Sequence, residues 1–234
     1  MAGVHALGDS VPIEGDDARK MVTVLRKRTG DRIEVIDSAT QRFGAILNLD
    51  GRSLRATLVE GIAGGPEAPS FSITVAQAIP KGRKMDFIIE KLTELGVADI
   101  LPFFSERTIV DRAERKLERW QRIVKSAAQQ CGRARIPPVA PPLRLPALLE
   151  RFASFDRVLV AWELAENRLL RDHLPPLLAG AHSVLVVVGP EGGFSSVEAA
   201  TMRSHGAQLV SLGPRILRTE TAALVVVAIL NYIA

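Results

Sequence analysis

The feature that most constrains the fold is a regular alternation of strand-like and helix-like segments between residues 71 and 212. Short apolar runs predict buried strands, while longer segments with apolar residues three or four positions apart predict helices. The predicted strands are Phe71–Ile79, Val97–Phe104, Val158–Trp162, Val184–Val188 and Gln208–Leu212. The predicted helices are Arg83–Leu95, Glu114–Cys131, Leu169–Leu178 and Ser196–Ser204. Such alternation is typical of an α/β fold, in which helices cover both faces of a mostly parallel sheet.

The N-terminal region has a different pattern and predicts a separate small domain. Its β-prone runs are residues 33–36, 43–49 and 54–59. Turn residues separate these runs, and Asp50-Gly51 favours a hairpin, so the region predicts a small antiparallel barrel. Residues 61–69 are rich in glycine and proline, which is typical of a linker. We therefore predict a barrel domain over residues 1–68 and an α/β domain over residues 69–234.

The composition excludes several classes of protein. Hydrophobic residues make up 47% of the chain, which is enough for a large core and excludes extensive disorder. The single cysteine, Cys131, excludes an internal disulfide and favours a reducing compartment. The longest apolar run, Ala222–Leu230, is shorter than the roughly 20 residues that span a bilayer. The N-terminus has no signal-peptide pattern and the four histidines have no metal-ligand spacing. We expect a soluble, cytoplasmic protein without a metal site.

The positive charge of the chain is concentrated in its middle third. Residues 81–135 contain 13 basic and 8 acidic side chains, whereas residues 1–70 contain 9 and 10, and residues 136–234 contain 8 and 8. A local excess of this kind favours binding of a polyanion. An ordinary solvated surface is the alternative.

A glycine-rich turn links the strand at 184–188 to the helix at 196–204. It runs from Gly189 to Gly193 in the order Gly-Pro-Glu-Gly-Gly, and glycines let the backbone approach a ligand closely. Ser195 and Glu198 have the spacing of a capping box, which marks the start of the helix. Ligands of open α/β sheets bind beyond the carboxyl ends of strands, so this turn is a candidate site, with a ligand-free turn as the alternative. Neither a dinucleotide fingerprint nor a P-loop is present in the sequence.

The segment Leu212–Ala222 is the second unusual feature. Its charged residues are Arg215, Arg218 and Glu220. Buried charge is costly unless it is paired, so charges set among apolar residues favour a functional site over a plain surface salt bridge. Residues 222–233 are apolar on almost every side and should be enclosed by protein. Their local pattern fits either a strand or a helix.

Together the two segments resemble a known family. Gly189–Gly193 and Leu212–Ala222 are similar to motifs of the RsmE family, the 16S ribosomal RNA uridine-N3 methyltransferases of the SPOUT superfamily. The likeness extends to Lys81–Phe87, Lys91–Val97, Glu106–Val110, Arg119-Trp120 and Gln129–Arg133. The resemblance implies a PUA-like RNA-binding barrel followed by an α/β domain with a deep trefoil knot, in which residues 222–233 form a helix. It also implies a homodimer that uses S-adenosylmethionine and acts on 16S ribosomal RNA or the small ribosomal subunit.

On this interpretation, the two segments and the basic residues supply candidates for each role. The cofactor-binding candidates are Val188, Gly189, Pro190, Glu191, Gly192, Gly193, Leu212, Gly213, Ile216, Leu217, Thr219 and Ala222. Arg218 would stabilise negative charge on the uracil, and Glu220 would accept the N3 proton or orient Arg218. The candidate RNA contacts are Arg26, Arg28, Lys81, Lys84, Arg107, Arg119, Arg133 and Arg135.

Two other functions remain open at this point. The first is ribose 2′-O-methylation by an enzyme of the same superfamily, against which the sequence of residues 216–222 argues. The second is a non-catalytic ribosome-assembly factor that binds RNA, against which the intact segments 189–193 and 218–221 argue.

Overall fold

The computed structural model describes residues 3–51, 53–63, 71–109, 116–165 and 169–233. The chain forms two compact units, Met1–Glu67 and Ala68–Ala234.

The first unit is built on one antiparallel sheet. Its strands are β1 (Ser10–Ile13), β2 (Arg32–Ile36), β3 (Arg42–Asp50) and β4 (Ser53–Ile62), and a short helix α1 (Gly15–Arg19) continues into a helical turn, Lys20–Val24. The strand order is β1-β4-β3-β2, and Asp50 pairs with Ser53, which confirms the predicted hairpin. In the described residues the sheet is open, with β1 and β2 at its edges, and does not close into the expected barrel. Alternate residues of β3 and β4 are buried, which gives the sheet one packed face.

The second unit contains a six-stranded sheet in which every pair is parallel. Its strands are β5 (Ser72–Ala78), β6 (Asp99–Phe104), β7 (Leu143–Arg144), β8 (Arg157–Ala161), β9 (Ser183–Val188) and β10 (Gln208–Val210). Its helices are α2 (Lys84–Glu94), α3 (Leu117–Cys131), α4 (Leu145–Leu149), α5 (Leu170–Leu178), α6 (Ser196–Ser204) and α7 (Thr219–Ile233). The strand order is β10-β8-β9-β5-β6-β7. This arrangement confirms the predicted α/β fold with a parallel sheet.

Both faces of this sheet are covered, which explains the continuous apolar runs of its strands. On β9, Val184, Val186 and Val188 pack into one cluster with helices α2, α3, α5 and α7. Leu185 and Val187 point to the other face and pack with α4 and α6. Because successive side chains of a strand alternate between faces, a strand buried on both sides needs apolar residues at every position.

The C-terminal segment is a helix, and the alternative of a strand is wrong. In α7, Ala223, Val226, Val227 and Leu230 are fully buried at helical spacing. They pack against α2 and against strands β5 and β9. The opposite side of the helix is less enclosed than its composition suggested, since Tyr232 is 90% exposed.

Candidate functional site

The sheet topology brings the two unusual segments together. Strands β8, β9 and β10 are parallel neighbours, so the segments that follow them leave from the same edge of the sheet. We call residues 189–194 the glycine loop and residues 211–218 the arginine loop. A cavity of about 360 Å³ lies between them. Eleven of the twelve predicted cofactor-binding residues line it, and Gly192 is the exception.

A larger depression of about 620 Å³ lies at the opposite, amino-terminal edge of the sheet, near Arg157 and Gln208. Neither loop contributes to its lining. We therefore place the site in the smaller cavity, where the two sequence motifs meet at the edge that binds ligands in this class of fold.

The glycine loop is held at Gly192 and at the start of the helix that follows it. The predicted capping box is confirmed, since the Glu198 backbone N–H donates to Ser195 Oγ at 3.2 Å and the Ser195 N–H donates to Glu198 Oε2 at 3.0 Å. The second oxygen of this carboxylate accepts the backbone N–H of Glu106 at 2.8 Å. Arg107 Nη1 donates to the Gly192 carbonyl at 2.6 Å, so this predicted RNA contact supports the loop from outside the cavity.

A third wall of the cavity comes from the segment after β8, which the sequence analysis did not assign. Ala161, Trp162 and Glu163 all line the cavity. Gly193 has a left-handed backbone (φ +65°), and a Cβ atom there would collide with the Glu163 carboxylate. Trp162 Nε1 donates to the Phe194 carbonyl at 3.4 Å. The sequence could have indicated these residues only by their position, because they directly follow a predicted strand at the edge of the sheet where ligands bind.

Buried hydrogen bonds join the glycine loop to the start of α7. Thr219 Oγ1 donates to the Gly189 carbonyl at 2.6 Å. Gln77, at the end of β5, donates through Nε2 to Thr219 Oγ1 at 2.9 Å and to the Ala78 carbonyl at 2.8 Å. Both side chains are buried, Gln77 completely and Thr219 almost so. Sequence reasoning assigned no role to Gln77.

An ion-pair cluster contributes Lys84 and Glu191 to the wall of the cavity. Lys84 Nζ is 2.9 Å from Glu191 Oε1 and 3.7 Å from Glu220 Oε2. The hydrogen bond to Glu191 raises the pKa of the Lys84 ammonium above its ordinary value of 10.5. Burial by itself would raise the pKa of Glu191, but hydrogen bonds from Lys84 and from the Lys81 backbone hold it below the ordinary 4.5. Lys84, predicted as an RNA contact, is thus placed in the cavity wall.

The two predicted catalytic residues occupy different positions. Arg218 is exposed and lines the cavity. Glu220 does not line it and lies half-buried in the first turn of α7. Within the described part of the chain, Glu220 Oε2 accepts no hydrogen bond, and the ion-pair partner of this carboxylate is Lys84.

The remaining predicted RNA contacts fall into two groups. Arg26 and Arg28 in the first unit, and Lys81 and Arg135 in the second, have exposed side chains. Arg119 forms an ion pair with Asp86 at 2.6 Å. Arg133 is half-buried and donates to the carbonyls of Thr93 and Gly96 at the end of α2. This guanidinium therefore caps the C-terminal end of α2 by binding its last carbonyl groups.

The family comparisons agree with this site. A model of the RNA methyltransferase domain matches residues 66–231, which include the whole parallel sheet and both loops. Fold and site thus define an RNA methyltransferase domain. The chain is 33% identical over 230 residues to ribosomal RNA small subunit methyltransferase E of Bacillus subtilis, covering 94% of this chain and 89% of the relative. It belongs to the family of ribosomal RNA small subunit methyltransferase E.

Two further relatives support the assignment. The enzyme of the same name from Mycobacterium bovis is 36% identical over 222 residues, covering 91% of this chain and 82% of the relative. The crystal structure of ribosomal RNA small subunit methyltransferase E from Neisseria gonorrhoeae bound to S-adenosyl methionine is similar, with a TM-score of 0.88 at 32% identity. That similarity covers 99% of this chain and 94% of the other.

Two kinds of feature are absent from the described residues. None of the helices in the described ranges is both long and apolar enough to cross a bilayer. No group of three or more histidine, cysteine, aspartate or glutamate side chains is arranged to hold a metal ion in that same part of the chain.

Proposed function

We propose that this protein uses S-adenosylmethionine to methylate N3 of a specific uridine in 16S ribosomal RNA. The observation that carries the proposal is the convergence of the glycine loop and the arginine loop on one cavity. Relatives that cover most of the chain are named ribosomal RNA small subunit methyltransferases, and one similar structure is described as bound to S-adenosyl methionine.

The cavity suits this cofactor chemically. Gly189, Gly193 and Gly213 expose backbone groups that can bind an adenosine closely. Leu212 and Ile216 offer an apolar surface for the adenine, and Ile216 is 85% exposed, as expected of an apolar side chain that a ligand covers. The carboxylates of Glu163 and Glu191 can accept hydrogen bonds from the ribose hydroxyls or the ammonium group. When bound, S-adenosylmethionine supplies a methyl group activated by a positively charged sulfur.

The protein's part in the reaction is to position the base and to manage its charge. Uracil N3 carries a proton at neutral pH, and its removal leaves negative charge on the base. Arg218, exposed in the cavity wall, would stabilise that charge. Glu220 would accept the proton, and it lies in the first turn of α7 with its carboxylate 3.7 Å from Lys84. Lys84 would hold Glu220 and the glycine loop together through its two ion pairs.

The target uridine must be accessible on its pairing edge, so it would be unpaired or flipped out of a helix. We propose that the exposed basic residues Arg26, Arg28, Lys81 and Arg135 contact phosphates. The first unit would act as a PUA-like RNA-binding domain, and the second as a SPOUT domain with a knot at its C-terminal helix. We further propose a cytoplasmic homodimer that needs no metal ion.

The test is the Arg218→Ala variant, with Arg203→Ala on the exposed side of α6 as the matched control. Both proteins are incubated with small ribosomal subunits and S-adenosylmethionine, and the digested RNA is analysed by mass spectrometry. We expect Arg218→Ala to lose at least a hundredfold in turnover while it binds the cofactor within about threefold of the wild type. Near-normal turnover in that variant would refute the role of Arg218.

The same assay separates the two other functions. A methyl group on ribose in place of the base would identify the chain as a ribose 2′-O-methyltransferase. Failure of the wild type to bind S-adenosylmethionine in a calorimeter would favour a non-catalytic assembly factor.

A further inference from the structure

The buried side chain of Gln77 is unusual for a residue inside a parallel sheet. It lies at the end of β5, has no exposed surface, and is surrounded by apolar strands. Its Oε1 atom accepts no hydrogen bond from the described residues. Burial of an amide oxygen without a partner is destabilising, so packing alone would favour a leucine at this position. The hydrogen bonds that the amide nitrogen of Gln77 donates must therefore explain why a glutamine occupies this position.

That donor side connects two segments that are far apart in the chain. Nε2 donates to Thr219 Oγ1 at 2.9 Å and lies 3.4 Å from the Gly189 carbonyl. The Thr219 hydroxyl donates to the same Gly189 carbonyl at 2.6 Å. The amide nitrogen must face these groups, because the Ala78 and Gly189 carbonyls can only accept hydrogen bonds. Gly189 starts the glycine loop, and Thr219 follows the arginine loop and begins α7.

We infer that Gln77 is a positioning residue that holds the two loops at the spacing the cofactor requires. This inference rests on the proposed function, because it assigns Gln77 a role in binding S-adenosylmethionine. The wall of the cavity includes both Gly189 and Thr219, but not Gln77 itself. Gln77 therefore acts through the hydroxyl of Thr219 and the carbonyl of Gly189, and its loss lets the loops separate without removing any group of the cavity wall.

The chain offers a matched control for a buried threonine hydroxyl. Thr93 is fully buried in α2, and its Oγ1 donates to the Ile89 carbonyl at 2.7 Å. Thr93→Val removes a buried hydrogen bond of the same kind as Thr219→Val, but it lies outside the cavity wall. A purely structural role for Thr219 would make the two variants behave alike.

The experiment measures binding of S-adenosylmethionine by calorimetry and the thermal unfolding midpoint for each protein. The variants are Gln77→Leu, Thr219→Val, Thr219→Ser, the double Gln77→Leu/Thr219→Val, and Thr93→Val. We expect Gln77→Leu and Thr219→Val each to weaken binding about tenfold, as the loss of one buried hydrogen bond predicts. Thr219→Ser keeps the hydroxyl and should bind within about twofold of the wild type. Thr93→Val should lower the unfolding midpoint and leave binding unchanged.

The double variant tests whether the two residues act as one unit. Its loss of affinity should not exceed that of the worse single variant, because either change already breaks the connection. Wild-type affinity in both Gln77→Leu and Thr219→Val would overturn the inference while leaving the proposed function intact. A wild type that does not bind S-adenosylmethionine would overturn the proposed function and this inference with it. If Gln77→Leu does not fold, the contrast between Thr219→Val, Thr219→Ser and Thr93→Val decides.

Discussion

Replacement of Gly193 by alanine tests the geometry of the glycine loop directly. Gly193 has φ +65°, and an added Cβ would collide with the carboxylate of Glu163 across the cavity wall. Glu163 ends in a flexible side chain, so it can move away, whereas the backbone of the loop is held by its capping box. The substitution should therefore have two separable effects, backbone strain and displacement of this carboxylate.

The two effects have different expected magnitudes. An alanine in the left-handed region costs about 1–2 kcal/mol of stability. Displacement of a carboxylate that accepts a hydrogen bond from the cofactor costs about 1.5–3 kcal/mol of binding, or about 10- to 150-fold in affinity. Gly206→Ala is the matched control, because Gly206 has φ +92° and its added Cβ would meet nothing within 4 Å. That variant should show the strain alone.

Urea unfolding and calorimetry with S-adenosylmethionine separate these effects. We expect both glycine variants to lose similar stability and only Gly193→Ala to lose affinity. Glu163→Ala should lose affinity to a similar extent, and the double Gly193→Ala/Glu163→Ala should lose no more than Glu163→Ala alone. If Gly193→Ala binds the cofactor as well as Gly206→Ala does, the argument that Glu163 contacts the cofactor is wrong.

Two other predictions follow from the same cavity. Ile216→Ser should leave the free energy of unfolding within about 0.5 kcal/mol of the wild type, because an exposed side chain contributes little to stability. Calorimetry should nevertheless show weaker binding of S-adenosylmethionine by this variant. Because the pKa of Glu191 is lowered in the folded protein, its ion pair with Lys84 stabilises the fold at pH values above the ordinary pKa of 4.5. This stabilisation is lost as the pH falls through the lowered pKa of the folded protein. Glu191→Gln should therefore unfold more easily than the wild type at about pH 7, and the difference should shrink as the pH falls below the ordinary pKa of 4.5. A difference that stays constant as the pH falls would contradict the pairing.

Local patterns were sufficient to predict most helices and strands of the second unit, but not the short strand β7 (Leu143–Arg144) or the short helix α4 (Leu145–Leu149). The helix at Ser196–Ser204 begins and ends at the predicted residues, because Ser195 and Glu198 mark its start by a mechanism confined to four residues. The buried strands were recognisable because a sheet covered on both faces needs uninterrupted apolar residues. In the first unit, β1 was missed because it is only four residues long, Ser-Val-Pro-Ile, and contains a proline, which is uncommon within a strand.

The site was predictable only where its residues belong to the two loops. Lys84 was assigned to RNA from its charge, since nothing local shows that its partners are Glu191 and Glu220, more than a hundred positions away. Glu163 was missed for the same reason, because its contact with Gly193 depends on the pairing of β8 with β9. Contacts between residues so distant in the chain depend on the order of the strands in the sheet, which cannot be predicted from local patterns in one sequence.

Strand order also explains why the most deeply buried polar residue near the site is on β5. The connection after β5 leads through α2 to β6, away from β9, while the connection after β9 leads through α6 to β10, away from β5. The chain therefore diverges between these two neighbouring strands, and a crevice opens at their carboxyl ends. Gln77 pairs in register with Val188, so it lies at the carboxyl ends of these two strands. An apolar side chain there could not hydrogen-bond to Thr219 or to the Gly189 carbonyl, so the glutamine links the loop that follows β9 to the start of α7.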